Sequence, residues 1–147
     1  MIPLLKDIKG ELDQPEVTEL LEASMFPDPD IVRMALDAYR NDPALELLGY
    51  YEGEELVGAI GFRMKTGNVL EIRHMAVSPE KRGHGHGRLM VLETLARKNP
   101  AELVAETDEE AVEFYRNIGF VVESLGELYP GVERFRCRYI VNPEAED

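Results

Sequence analysis

The twelve residues Val77-Ser78-Pro79-Glu80-Lys81-Arg82-Gly83-His84-Gly85-His86-Gly87-Arg88 constrain this chain most. An apolar, strand-like run stops at Ser78-Pro79, three glycines follow at alternate positions, and a helical pattern starts at Arg88. Glycine admits left-handed backbone and lets a ligand approach without meeting a Cβ. The amides of such a curl, and of the first helical turn after it, have no internal partners. They lie at the positive end of the helix dipole, so the segment reads as an anion nest. Lys81, Arg82 and Arg88 add positive charge beside it. A pyrophosphate is the natural guest. A bare strand-to-helix turn does not need three alternating glycines. A Walker loop ends in Gly-Lys-Ser/Thr, whereas Gly87 is followed by Arg88. The dinucleotide fingerprint is G-x-G-x-x-G, and the spacing here is G-x-G-x-G.

The pattern around this loop is that of a mixed α/β chain. The first part reads as helical. Val17, Leu20, Leu21 and Ala23 are apolar between Pro15 and Ser24, and Ile31, Met34, Ala35 and Ala38 repeat the spacing after Pro27-Asp28-Pro29-Asp30. Asp42-Pro43 ends that run. Strands are expected from Leu45 to Glu52 and from Leu56 to Arg63, about a turn at Gly53-Glu54-Glu55. A third strand runs from Val69 to Val77, so the three form an antiparallel meander. Leu89, Leu92, Leu95 and Ala96 share a helical face that Asn99-Pro100 closes. A short strand at Leu103-Val104-Ala105 precedes Thr107-Asp108-Glu109-Glu110, which matches a capping box with Thr107 as cap. The helix it opens reaches Asn117. Phe120 to Glu123 and Arg134 to Val141 complete the set. On the last strand Phe135, Cys137 and Tyr139 face one way, and Arg134, Arg136 and Arg138 the other. The expectation is a mostly antiparallel sheet of six or seven strands with about four helices. It forms one domain over residues 1–147, with Asn142 to Asp147 as a frayed tail.

Composition narrows the function classes. The formal net charge of the 147 residues is -13, the wrong sign for releasing counterions from nucleic-acid phosphates. It favours cationic over anionic ligands in the long-range field. No apolar run approaches the ~20 residues that span a bilayer, and the opening Met1-Ile2-Pro3-Leu4-Leu5-Lys6-Asp7 does not read as a signal peptide. The single cysteine, Cys137, forms no internal disulfide and suits a reducing compartment. A soluble, cytoplasmic protein is expected, with no nucleic-acid or membrane partner. Cys137 reads as a core or interface thiol.

Arg82-Gly83-His84-Gly85-His86-Gly87 fits the R/Q-x-x-G-x-G/A signature of the GNAT (Gcn5-related) acetyltransferases. Thr107-Asp108-Glu109-Glu110-Ala111-Val112-Glu113-Phe114-Tyr115-Arg116-Asn117-Ile118-Gly119-Phe120 resembles the late helix of that family, with its aromatic-Tyr pair and closing Gly-Phe. The resemblance covers roughly Leu56 to Phe120. It implies transfer of an acetyl group from acetyl-CoA to a primary amine of a small molecule or peptide, by direct attack in a ternary complex and with no metal. It implies two splayed neighbouring strands, with pantetheine bonded near Met75, Ala76 and Val77. The pyrophosphate then rests on the loop from Arg82 through Gly83, His84, Gly85, His86 and Gly87 to Arg88. A non-catalytic acyl-CoA sensor and an interaction module of the same fold are the alternatives. A homodimer through the last strand is a further expectation, because strand edges pair readily.

Amine acetylation needs a neutral nucleophile, and an alkyl ammonium with a reference pKa near ~10.4 must first lose a proton. The leaving thiolate needs a hydrogen-bond donor or acid. By its place in the late helix, Tyr115 resembles the tyrosine that the family sets near the coenzyme sulfur. Glu71 lies on the strand where several members carry a basic glutamate; an ion pair with Arg73 is its structural alternative. His74 faces Leu70, Ile72 and Ala76, as a hydrogen-bonded core histidine would, and water is a third candidate base. His84 and His86 read as side chains on the coenzyme rim that lend their backbone amides. Where the family often has Asn at the start of the late helix, this chain has Asp108, which moves that coenzyme contact to Asn117. The acceptor is expected against the early helices, where Phe26, Asp28, Asp30, Asp37, Tyr39 and Asp42 stand.

Overall fold

A computed structural model describes residues 4–25 and 27–141. Phe26 and the expected tail, Asn142 to Asp147, lie outside the described residues. The elements follow in the order β1 (Leu4–Asp7), α1 (Pro15–Ala23), α2 (Pro29–Asn41), β2 (Leu45–Glu52), β3 (Glu55–Lys65), β4 (Val69–Val77), α3 (His86–Lys98), β5 (Glu102–Thr107), α4 (Glu109–Asn117), β6 (Val121–Tyr129) and β7 (Val132–Ile140). The strands form one sheet in the order β1-β2-β3-β4-β5-β7-β6. The β1–β2, β2–β3, β5–β7 and β6–β7 pairs are antiparallel, and β4–β5 is parallel. The mixed, mostly antiparallel sheet with four α-helices is the architecture the sequence pattern implies.

Contacts group the chain into two compact units. One holds the chain up to Arg63 together with His74–Asn99; the other holds Met64–Arg73 and the chain from Pro100 onward.

In the first unit, local chemistry explains the helices. Pro15 and Pro29 occupy opening positions of α1 and α2, where a fixed φ helps and a missing N–H costs nothing. Asp28 caps α2 by accepting from the Asp30 amide at 2.9 Å. Val17, Leu20 and Leu21 of α1 are buried against Leu47 and Ala59. Tyr39, the one fully buried residue of α2, lies across β3 at Gly61. Its hydroxyl meets His74 Nδ1 at 2.6 Å. A Cβ at Gly61 would collide with that hydroxyl, so only glycine lets the tyrosine reach β4. Gly61→Ala should destabilise the protein by about 2 kcal/mol through overpacking, lowering Tm by ~4–8 °C. A thermal melt that matches wild type would contradict this packing.

In the second unit, α4 packs against β7 and β6, and Leu103 and Ala105 of β5 and Cys137 of β7 are buried. Phe120 stacks on Tyr139 with ring centroids 5.6 Å apart, and Tyr115 meets Phe120 edge-on at 5.1 Å. Cys137 is wholly buried and burial pushes its thiol up, as for a core thiol.

Four expectations need correction. The chain does not open on a helix: β1 pairs with β2 from Leu4↔Tyr51 to Asp7↔Leu48. Only Leu5 of that short strand is buried, so no period shows in the sequence. Thr107 is not the cap of α4 but the last residue of β5; Asp108 caps, accepting from the Glu110 and Ala111 amides. Glu55 opens β3 and is not part of the hairpin turn. The last strand is not an edge: β7 lies between β5 and β6, so its backbone is already paired on both sides, and β6 forms the edge.

Candidate active site

The glycine loop lies wholly in the first unit. β4 ends at Val77, Ser78 donates its amide to Val57 O at 2.9 Å, and Pro79–Lys81 makes one 3-10 turn. Gly83 and Gly85 then take φ of +83° and +81°. That left-handed region strains any residue with a side chain by ~1–2 kcal/mol. A Cβ at either position would meet nothing within 4 Å, so the demand for glycine is conformational and the loop's outer side is open. Gly87 is different: it lies inside α3, which starts at His86.

Gly85 is the N-cap of α3 and no side chain caps it. The first-turn amides of His86, Gly87 and Arg88 therefore have no intrahelical acceptor. A 13-residue helix presents its positive end there, after two left-handed glycines. The backbone fits a phosphate-bearing group as the sequence suggests.

The nearby cations divide. Arg82 is exposed and donates from Nε to Val77 O at 3.0 Å, lacing the loop to the end of β4. Lys81 turns to the β2–β3 hairpin, 3.2 Å from Glu52 and 3.6 Å from Glu55. Arg88 is exposed in the first turn of α3. His84 is exposed, as a rim residue would be, but His86 is not on a rim: its ring is buried and meets Tyr50 edge-on at 5.7 Å. No local pattern signals this, because alternate loop positions look equivalent until the helix is seen to begin at His86. Glu52 and Glu55 also escaped the sequence reading; their only signal is an acidic hairpin in a chain with one basic loop. Met75 and Val77 are half-buried and Ala76 is buried.

Among the expected catalytic groups, Tyr115 and Glu71 belong to the second unit, on opposite faces of the sheet. Glu71 stands level with Val104, and Val104 with Arg138. Tyr115 belongs to the aromatic stack on the alternate face, with Phe120 and Tyr139. Glu71 Oε1 is 3.2 Å from Arg73 and Oε2 is 3.7 Å from Lys65, the ion-pair alternative raised by the sequence. Tyr115 is 5% exposed, and burial, then the Cys137 thiol, pushes its hydroxyl well above the usual tyrosine range. It therefore keeps its proton. Asn117 is exposed at the last turn of α4. The Asp108 carboxylate is taken up in capping that helix.

The early acids are mostly taken up by structure. Asp28 caps α2, Asp30 pairs with Arg33 at 2.8 Å, and Arg40 holds Asp13 at 2.7 Å and Asp37 at 3.3 Å. A cavity of about 610 Å³ lies beside Tyr39, lined by Asp7, Lys9, Asp13 and Arg40 among others. Two acids oppose two bases there, so it does not select charge. No group of three or more His, Cys, Asp or Glu among the described residues is arranged to hold a metal ion, and none of the described helices is long and apolar enough to cross a membrane.

Known proteins share this architecture. An acetyltransferase from Bacillus subtilis, solved with CoA, aligns over 95% of this chain and 99% of its own, at TM-score 0.71 and 19% identity. A GNAT family acetyltransferase from Elizabethkingia anophelis with acetyl-CoA bound aligns over 95% and 98%, at TM-score 0.69 and 16% identity. A spermidine/spermine N-acetyltransferase from Vibrio cholerae aligns over 98% and 95%, at TM-score 0.71 and 18% identity. At these identities the structures share a fold. The sequence model of the acetyltransferase (GNAT) family matches residues 12–120, a span that includes the glycine loop, β5 and the whole of α4. The chain is an acyltransferase that belongs to the GNAT acetyltransferase family.

Proposed function

We propose that this protein transfers an acetyl group from acetyl-CoA to a primary amine of a small molecule or peptide, as one domain working in the cytoplasm. The observation that carries the reading is the uncapped N-terminus of α3 behind left-handed Gly83 and Gly85, in a chain of this family. The amides of His84 to Arg88 would hold the pyrophosphate, and backbone groups of Met75, Ala76 and Val77 the pantetheine arm. Arg82 would brace the loop, and Asn117 would touch the coenzyme from the end of α4. When bound, acetyl-CoA supplies an activated acetyl group as a thioester.

Tyr115 donates a hydrogen bond to the departing sulfur. An ordinary thiol has a pKa near ~8.5, below that of a buried tyrosine, so the hydroxyl stabilises the thiolate while keeping its own proton. The proton of the acceptor ammonium leaves by water, His74 or Glu71. Lys65 and Arg73 already share the Glu71 carboxylate and compete with an acceptor ammonium for it, which makes it the weaker candidate as base. A cationic acceptor suits the net charge of -13. A polyamine acceptor is named for the V. cholerae neighbour and gives a first compound to try.

The test is thiol release from acetyl-CoA across a panel of polyamines, aminoglycosides and lysine or N-terminal peptides. Release that depends on one amine class supports the reading. Binding of acetyl-CoA with no release on any amine would replace it with the sensor.

A further inference from the structure

The glycine loop is held from outside by the β2–β3 hairpin. Glu52, the last residue of β2, points one carboxylate oxygen at each end of the loop. Oε1 is 3.2 Å from Lys81 Nζ, ahead of Gly83; Oε2 is 3.9 Å from His86 Nε2, behind Gly85. Glu55, the first residue of β3, adds a second contact to Lys81 at 3.6 Å. The hydrogen bond to Glu52 and the charges of Glu52 and Glu55 hold the Lys81 ammonium in its protonated form. The His86 ring is 9% exposed and edge-on to Tyr50, and its buried Nδ1 has no hydrogen-bond partner among the described residues. A proton on Nε2 points at Glu52 and leaves Nδ1 a bare acceptor, the tautomer that strands no buried N–H. The ring is thus held by its packing against Tyr50, with Glu52 Oε2 facing Nε2 but beyond hydrogen-bond reach.

The loop with two left-handed glycines is therefore tied to the hairpin ahead of them through Lys81, and anchored behind them by the buried His86 ring. Glycine-rich backbone loses more entropy on ordering than any other. A loop already ordered spares the ligand that cost. We propose that Glu52 is a positioning residue for the phosphate-binding loop, gripping Lys81 at its head while the buried His86 ring anchors its far end, so that the amides between them are aimed before the ligand arrives. This rests on the coenzyme reading of the loop given above. A consequence follows for Lys81: its charge is spent on the hairpin and not on the coenzyme phosphates.

The two roles of Lys81 predict opposite signs. The Glu52→Gln variant should raise KM for acetyl-CoA about fivefold with kcat within about twofold, the size expected of a partly exposed ion-pair network. Lys81→Met should do the same, and the double variant should be no worse than either single one. Glu46→Gln breaks the Lys98 pair elsewhere on β2, at 2.8 Å, and should leave KM unchanged. Amide hydrogen exchange of Lys81, Arg82 and Leu89, whose N–H groups donate to Ser78 O, Pro79 O and Gly85 O, should quicken in ligand-free Glu52→Gln. A fall in KM in Glu52→Gln, as if a freed Lys81 now reached the phosphates, would overturn the proposal, and so would loop exchange at the wild-type rate. The exchange arm needs no coenzyme. If wild type fails to bind acetyl-CoA, the coenzyme reading falls, while loop exchange still decides whether Glu52 holds the loop.

Discussion

Tyr115→Phe should lower kcat by ~10²-fold, the usual effect of losing a positioned acid or donor, and leave KM for acetyl-CoA within about threefold. The structure favours a clean experiment. The Tyr115 ring is held at 5.1 Å by both Phe114 and Phe120, and phenylalanine keeps those contacts. Only the hydroxyl is lost, so the melting temperature should barely change. Because burial lifts the Tyr115 pKa above its usual ~10, the hydroxyl stays protonated wherever the enzyme is assayed. Its ionisation therefore puts no alkaline limb on the kcat profile below pH ~10. Glu71→Gln is the informative control. With both oxygens ion-paired, its loss should change kcat less than about fivefold. A large drop for Glu71→Gln beside a small one for Tyr115→Phe would reverse the two roles.

The second large effect belongs to Gly85. Gly85→Asp should weaken acetyl-CoA binding by ~100-fold or more, through three changes of the same sign. Its φ of +81° costs a residue with a side chain ~1–2 kcal/mol, or else moves the loop. The new carboxylate sits at the N-cap of α3, where it would bond the amides that now await the ligand. It also places a negative charge beside the site of a polyanion. The fold should survive, because a Cβ there meets nothing within 4 Å. Gly85→Ala pays only the backbone cost and should lose about tenfold. Equal losses for the two variants would show that loop conformation alone matters. Affinity unchanged in Gly85→Asp would remove the loop from coenzyme binding.

The elements legible in the sequence were those whose signal is local. Alternating glycines before a helical pattern marked the loop, periodic apolar residues marked α1 to α3, a capping signal marked α4, and turn residues bounded β2 to β4. What was missed depends on pairing. Leu4–Asp7 is a strand only because β2 accepts it, and one buried residue carries no period. The cap of α4 was misplaced by one residue because Thr107 and Asp108 are both good caps; β5 runs through Thr107 and leaves the role to Asp108. β6 extends well beyond Glu123 because its ladder with β7 shifts register between Ser124 and Gly126, where the sequence shows only a glycine. The same holds at the candidate site. The loop's backbone chemistry was readable, but Lys81 looked available until Glu52 and Glu55 were found beside it. Strand alternation placed Glu71 correctly, yet only the register through Val104 to Arg138 separates its face from that of Tyr115.

The most direct measurement is thermal stability with and without acetyl-CoA, on wild type and Gly85→Asp together. A ligand at ~100 times its dissociation constant adds about 2.7 kcal/mol to the folded state, or ~5–10 °C for a chain of this length. The expected result is a rise of that size in wild type that is lost in the folded variant. No rise at millimolar acetyl-CoA would contradict coenzyme binding and leave Gly83 and Gly85 as the residues of a structural turn.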